Sequence, residues 1–186
     1  MSLTTVDARS ALLVVDLQEG TVGLPTVHPA SEVVDRAAEL AAVFRSYALP
    51  VVLINVAGGA PGRNELPKSR SAPASNWTDL VPQLKAEAGD HVVTKKTWDA
   101  FPGTDLDTYL RSQNVTQVVL TGIATSIGVE STARSAYALG YHVTLATDAM
   151  TDLDPGAHAN AVERVFPKLG ETGTTEEIIG LVKSSR

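Results

Sequence analysis

The chain has 186 residues, 44% apolar and 19% charged, with a formal net charge of -6. That size suits one domain over 1–186 with a sizeable core, and the acidic balance argues against a nucleic-acid binder, because no basic stripe is present. The absence of cysteine excludes disulfides, thiolate metal sites and thiol nucleophiles together. No apolar run approaches the ~20 residues of a membrane span. The opening MSLTTVDARS lacks a basic start ahead of an apolar stretch, so no signal peptide is read and a cytoplasmic location is the expectation.

In chain order, the first apolar run is Ala11–Val15, closed by Asp16. A helix follows from about Glu32 to Ala48, with Ser31 as N-cap and Val33, Ala37, Leu40, Ala41, Phe44 and Ala48 on one face. Pro50 opens a second run, Val51–Val56, and His91–Thr94 forms a third. Between them, residues 57–76 are rich in Gly, Pro, Ser and charge. A loop this long inside a compact domain is functional or disordered.

Asp105–Arg111 is a helix candidate, and Gln117–Leu120 is the fourth strand-like run. Gly128–Leu139 reads as a helix with Val129, Ala133, Ala136 and Tyr137 on one face, Glu130 and Arg134 paired at i,i+4, and Gly140 to end it. His142–Ala146 is the fifth run, and Ala157–Phe166 and Glu176–Lys183 close the chain as helices. Apolar runs without polar alternation suit strands buried on both faces. The alternation predicts an α/β three-layer sandwich with a mostly parallel, Rossmann-like sheet.

Ligands in such sheets sit beyond the carboxyl ends of the strands. Three polar features fall there: Asp16, the Lys95-Lys96 pair, and the turn Thr125–Gly128. An acid, a lysine and helix N-terminal amides make a candidate acid/base site. Each also has a plain structural role: a turn-forming Asp, a solvated lysine pair and a glycine needed for close packing. Trp77, Trp98 and Phe101 serve equally as pocket lining or as core and interface residues. Arg63 and Arg70 on the long loop are candidates for holding a substrate carboxylate. The histidines at 28, 91, 142 and 158 are scattered, with His91 and His142 opening strands. No metal set and no Walker-type phosphate loop is visible, so no cofactor is expected.

The stretch Val118-Val119-Leu120-Thr121-Gly122-Ile123-Ala124-Thr125-Ser126-Ile127-Gly128-Val129-Glu130-Ser131-Thr132-Ala133-Arg134, with Asp16-Leu17-Gln18 and Lys95 six residues before Phe101, resembles the isochorismatase-like (cysteine hydrolase) superfamily. The resemblance covers roughly residues 10–170. It implies a small-molecule hydrolase, a homo-oligomer (dimer or tetramer), and a site built on Asp16, Lys95 and position 128. It also implies Gln18, Trp98, Phe101, Ala124 and Thr125 near the substrate, and a non-proline cis peptide at Ile123–Ala124. Zinc-binding relatives carry an Asp-x-His-x-His motif after the second strand, and Asn55-Val56-Ala57-Gly58-Gly59 offers no such ligands.

The departure is Gly128, which stands where thiol members hold their nucleophile. Ser126 and Ser131 lie two and three positions away and are no substitute. The resemblance extends to the isochorismatases proper, which have glycine here and cleave a vinyl ether with an aspartic acid as proton donor. That chemistry is the one expected. A non-catalytic binding protein, and a carboxamide hydrolase using water in place of the thiol, are the alternatives. Lys95 lowers the pKa of a neighbouring Asp16 and desolvation raises it; the sequence leaves that balance open.

Overall fold

The computed structural model describes residues 3–65 and 74–185. Its strands are β1 (Ser10–Val15), β2 (Val51–Val56), β3 (His91–Lys95), β4 (Gln117–Ile123), β5 (His142–Thr151) and β6 (Glu171–Gly173). They form one sheet in the order β3-β2-β1-β4-β5-β6, with every neighbouring pair parallel. The helices are α1 (Glu19–Val22), α2 (Ala30–Ser46), α3 (Leu106–Ser112), α4 (Glu130–Ala138), α5 (Pro155–Asn160), α6 (Phe166–Leu169) and α7 (Thr175–Ser184). Among these described helices, none is long and apolar enough to cross a membrane.

The two-residue period of a strand divides the core into two layers. Leu12 and Val14 of β1 pack with Ala37, Leu40 and Phe44 of α2 and with Ile178 and Val182 of α7. Ala11, Leu13 and Val15 face the other way, toward Leu106 and Leu110 of α3 and Ala133 and Ala136 of α4. Both faces of β1 are therefore apolar, which is why its sequence shows no alternation.

Several element bounds differ from the sequence expectation. The second helix starts at Ala30 with Pro29 at the N-cap, not Ser31, because proline's fixed φ suits a helix entry. Ala48 lies past its end at φ 53, exposed rather than on the buried face. The segment before α4 is a π-helical turn over Thr125–Val129, so the regular helix begins at Glu130. Tyr137 is 57% exposed, off the apolar face of α4. The Ala157–Phe166 candidate is part of a longer Pro155–Leu169 run interrupted by a second π-helical turn at Ala161–Val165. β5 continues to Thr151. Expectations for Glu130–Arg134 hold, at 2.9 Å, and Gly140 ends α4 at φ 90.

Close approach of two strands requires glycine at position 122. Gly122 sits opposite Val15 in the β1–β4 ladder, at φ 127. A Cβ there would lie 2.0 Å from the Val15 carbonyl oxygen, on backbone that cannot yield. Gly122→Ala is expected to lower unfolding free energy by at least about 3 kcal/mol through strain and clash together. Equilibrium denaturation measures this, and a wild-type midpoint in the variant contradicts it.

Candidate active site

Strand order reverses between β1 and β4, and the crevice at that switch lies beyond their carboxyl ends. Asp16 follows β1 directly and the Thr125–Val129 turn follows β4. Asp16 leaves the strand at φ 52, a left-handed conformation that aspartate tolerates better than most residues. Its amide donates to the Ile54 carbonyl at 2.9 Å, and the Thr21 hydroxyl donates to its carbonyl. The carboxyl group is thus launched from a fixed backbone.

Lys95, the last residue of β3, crosses to meet it. Its Nζ lies 2.8 Å from Asp16 Oδ2 and donates to the carbonyls of Trp98 at 2.7 Å and Thr97 at 3.2 Å. An ammonium has three N–H donors, and all three are engaged. Lys95 is 1% exposed and Asp16 6%, so the pair is shielded from water. Lys96 is exposed.

Burial wins over the lysine. Desolvation raises the Asp16 pKa to about 6, against the lowering effect of the Lys95 charge and hydrogen bond. A carboxylate wants at least two partners when buried, and here Oδ2 has Lys95 while Oδ1 has none among the described residues. The second oxygen is the natural place for the proton. Because the folded group holds its proton more tightly than the unfolded one, Asp16 favours the fold at acidic pH. That contribution fades as pH rises from about 4 through about 6.

Gly128 belongs to the same cluster. A Cβ built on it would lie 3.0 Å from Asp16 Oδ2, 3.1 Å from Val15 Cγ1 and 3.3 Å from Lys95 Nζ. The ion pair thus occupies the room that even a methyl group would need. The Gly128 carbonyl accepts from Thr132 at 2.7 Å, and the same hydroxyl accepts from the Ala100 amide at 3.2 Å. Thr132 therefore ties the turn to the loop whose carbonyls hold Lys95.

Gln18, Phe101 and Trp98 each have partners within the fold. Gln18 is fully buried, and its amide nitrogen donates to the carbonyls of Val56 at 3.1 Å and Trp77 at 2.8 Å while its oxygen accepts from the Val56 amide at 2.7 Å. It staples the two ends of the long loop. Phe101 packs in the core against Tyr141, with ring centroids 6.2 Å apart. Trp98 contributes its carbonyl to Lys95, and the residue is 53% exposed.

The Ala124 carbonyl accepts from the amides of Ile127 and Val129, and the Ile123–Ala124 bond is cis as expected. The Ser126 amide donates to Asp152 Oδ2 at 2.6 Å. An anion seat on this turn therefore finds three of its amides already partnered. Arg63 is exposed, and Arg70 lies outside the described residues.

Three features escaped the sequence reading. Asp152 is buried and caps the Ser126 amide, a target 26 residues away in the chain. The histidines are not all scattered: the rings of His28 and His158 meet edge to face at 4.9 Å, and His158 Nδ1 lies 2.9 Å from the buried Thr125 hydroxyl. Thr132 gave no signal of its own. Among the described residues no group of three His, Cys, Asp or Glu is placed to hold a metal.

The Isochorismatase domain model matches residues 10–177. An uncharacterized isochorismatase family protein of Bacillus subtilis (strain 168) is 38% identical over 183 residues, covering 94% of this chain and 95% of its own length. A solved isochorismatase family protein from Burkholderia thailandensis superposes with a TM-score of 0.93 at 39% identity, over 98% of this chain and 100% of that one. The N-carbamoylsarcosine amidase from Thermoplasma acidophilum superposes at 0.74 with 27% identity, over 91% and 98%.

The tightness around Gly128 has a measurable consequence. Alanine gains roughly 1 kcal/mol over glycine in helix propensity, but its methyl group must displace a pinned carboxylate, a pinned ammonium and a core valine. Overpacking of that kind costs about 1–3 kcal/mol. Gly128→Ala is expected to be net destabilising by up to about 2 kcal/mol in urea titrations. A variant more stable than wild type would show that the pair has room to move.

Proposed function

This chain belongs to the isochorismatase family of hydrolases, and from that premise we propose that it hydrolyses an enol (vinyl) ether of a small anionic metabolite with Asp16 as general acid. The observation that carries this reading is the state of Asp16. It is buried, its pKa is pushed up to about 6, and Oδ1 is unpartnered while Oδ2 is held by Lys95. With a pKa near 6, roughly a tenth of the groups carry a proton at pH 7, close to the optimum for acid catalysis at neutral pH.

The step balances without a covalent intermediate. Asp16 gives its proton to the terminal carbon of the C=C bond, and the ether oxygen supplies the electrons that leave an oxocarbenium-like carbon. Water adds to that carbon, and the hemiketal collapses to a ketone and an alcohol as the C–O bond breaks. The proton released by the added water restores Asp16. Lys95 has no N–H left over for substrate; it fixes Oδ2 and stabilises the carboxylate after transfer. A substrate carboxylate arriving near Lys95 offsets part of the ammonium's field and raises Asp16 further.

A second reading, amide hydrolysis with water in place of a thiol, is favoured by the likeness to a protein named as an amidase. It asks Asp16 to act as a base, which a pKa of about 6 also permits. The two differ in pH dependence and substrate.

Against a panel of isochorismate, chorismate and small carboxamides, an enol ether is expected to be turned over, with a rate that falls as pH rises above about 6 and Asp16 deprotonates. Asp16→Asn should lose at least ~10²-fold in turnover while remaining folded. Near-normal turnover in that variant moves the chemistry elsewhere. Hydrolysis of amides alone, with a rate rising through pH 6, selects the second reading.

A further inference from the structure

Residues 96–101 form neither helix nor strand, yet two of their carbonyls, on Thr97 and Trp98, hold the Lys95 ammonium at 3.2 and 2.7 Å. Such a cage is only as well placed as the backbone that carries it. Ties from a neighbouring element come from α4, through two hydroxyls three residues apart and so on one helix face. The Ser135 hydroxyl donates to Asp99 Oδ2, and the other Asp99 oxygen accepts from the Phe101 amide at 2.9 Å. The Thr132 hydroxyl accepts from the Ala100 amide at 3.2 Å.

Thr132 is fully buried, on a helix whose other buried side chains are Ala133 and Ala136. Valine has the same shape and would suit so apolar a face; what it lacks is the oxygen. That oxygen takes the N–H of Ala100, itself fully buried, and gives its own hydrogen to the Gly128 carbonyl at 2.7 Å. A threonine bonded to the carbonyl four residues back needs no partner elsewhere, so the bond from Ala100 is the one that sets this threonine apart. A Cβ on Gly128 would stand 3.3 Å from Lys95 Nζ. One hydroxyl therefore bridges the two pieces of backbone that flank the ammonium.

We propose that Thr132, supported by Ser135, is a positioning residue: it holds the loop so that the Thr97 and Trp98 carbonyls keep the Lys95 ammonium fixed against Asp16. Thr132 touches no reacting atom and acts through Lys95. What the cage is for, the steadying of an acid, rests on the proposed role of Asp16. Without the Thr132 oxygen the Ala100 amide is unpaired in a dry site, which folded proteins avoid, and the loop shifts to find it a partner. The ammonium then loses carbonyls, and water or a closer Asp16 takes their place. Both replacements favour the ionised carboxylate.

Proton exchange of the Lys95 ammonium, followed through its side-chain ¹⁵N–¹H NMR signal, reads the cage directly. Three hydrogen-bonded N–H groups shielded from water should give a persistent signal in the wild-type protein. Thr132→Val is expected to speed that exchange at least about tenfold, the scale of one hydrogen bond, and to lower the Asp16 carboxyl midpoint. Thr132→Ser keeps the oxygen and should restore the wild-type rate. Ser135→Ala should speed exchange in the same direction, and it decides the matter if Thr132→Val fails to fold. Val182→Ala opens a cavity in the opposite core layer; it controls for lost stability and should leave the exchange unchanged. A wild-type signal already lost to fast exchange overturns the proposal. So does a wild-type rate or an unlowered Asp16 midpoint in Thr132→Val, a Thr132→Ser rate as fast as that of Thr132→Val, or equal acceleration in Val182→Ala. A wild-type Asp16 midpoint at the ordinary value of about 3.9 would instead overturn the acid reading and leave the Lys95 exchange test standing, so the two failures are distinguishable.

Discussion

A lysine ammonium removed from water must be compensated by good partners, and the arrangement of Lys95 follows from that requirement. Leaving such a charge uncompensated is among the costliest changes a folded protein can suffer. Its three hydrogens reach one carboxylate oxygen and two backbone carbonyls. Those carbonyls belong to the turn after β3, so the turn is folded around the charge. Asp99 reinforces it by accepting from the Phe101 amide at 2.9 Å and from the Ser135 hydroxyl. Thr132 extends the same tie to Gly128. Three strand ends are thereby locked into one geometry by a single cation.

That lock makes position 128 tight, a place where glycine sits without contact. With the ion pair drawn in against the turn, a side chain at 128 has to compete with Asp16 Oδ2 and Lys95 Nζ for space. Asp16 gains from the exclusion of water: burial pushes its pKa up to about 6 in spite of Lys95. The lysine opposes this but does not cancel it. The same pairing that would ionise an exposed aspartate leaves a buried one able to carry a proton near neutrality.

Much of this was legible in the sequence, because the relevant signals are local. Continuous apolar runs such as Ala11–Val15 announced strands buried on both faces, and Asp16 and Lys95 stood at the strand ends where such sheets bind ligands. What was not legible depends on partners distant in the chain. β6 is three residues of Glu, Thr and Gly at the sheet edge, with no apolar signature because one side of it is open. Gln18 gave no local sign of its three bonds to Val56 and Trp77. His28 and His158 meet across 130 residues of sequence. The balance between desolvation and Lys95 at Asp16 depends on exposure, which no pattern of residue types contains.

The central claim is that a lysine-paired carboxyl group is nonetheless protonated close to neutral pH, and carboxyl ¹³C NMR of Asp16 across pH 3 to 9 tests it most directly. The account predicts a titration centred near pH 6, assigned by its loss in Asp16→Asn. A midpoint at or below the ordinary aspartate value of about 3.9 would mean that Lys95 outweighs burial. Asp16 would then be a permanent anion, and the chain would lack the acid on which the proposed hydrolysis depends.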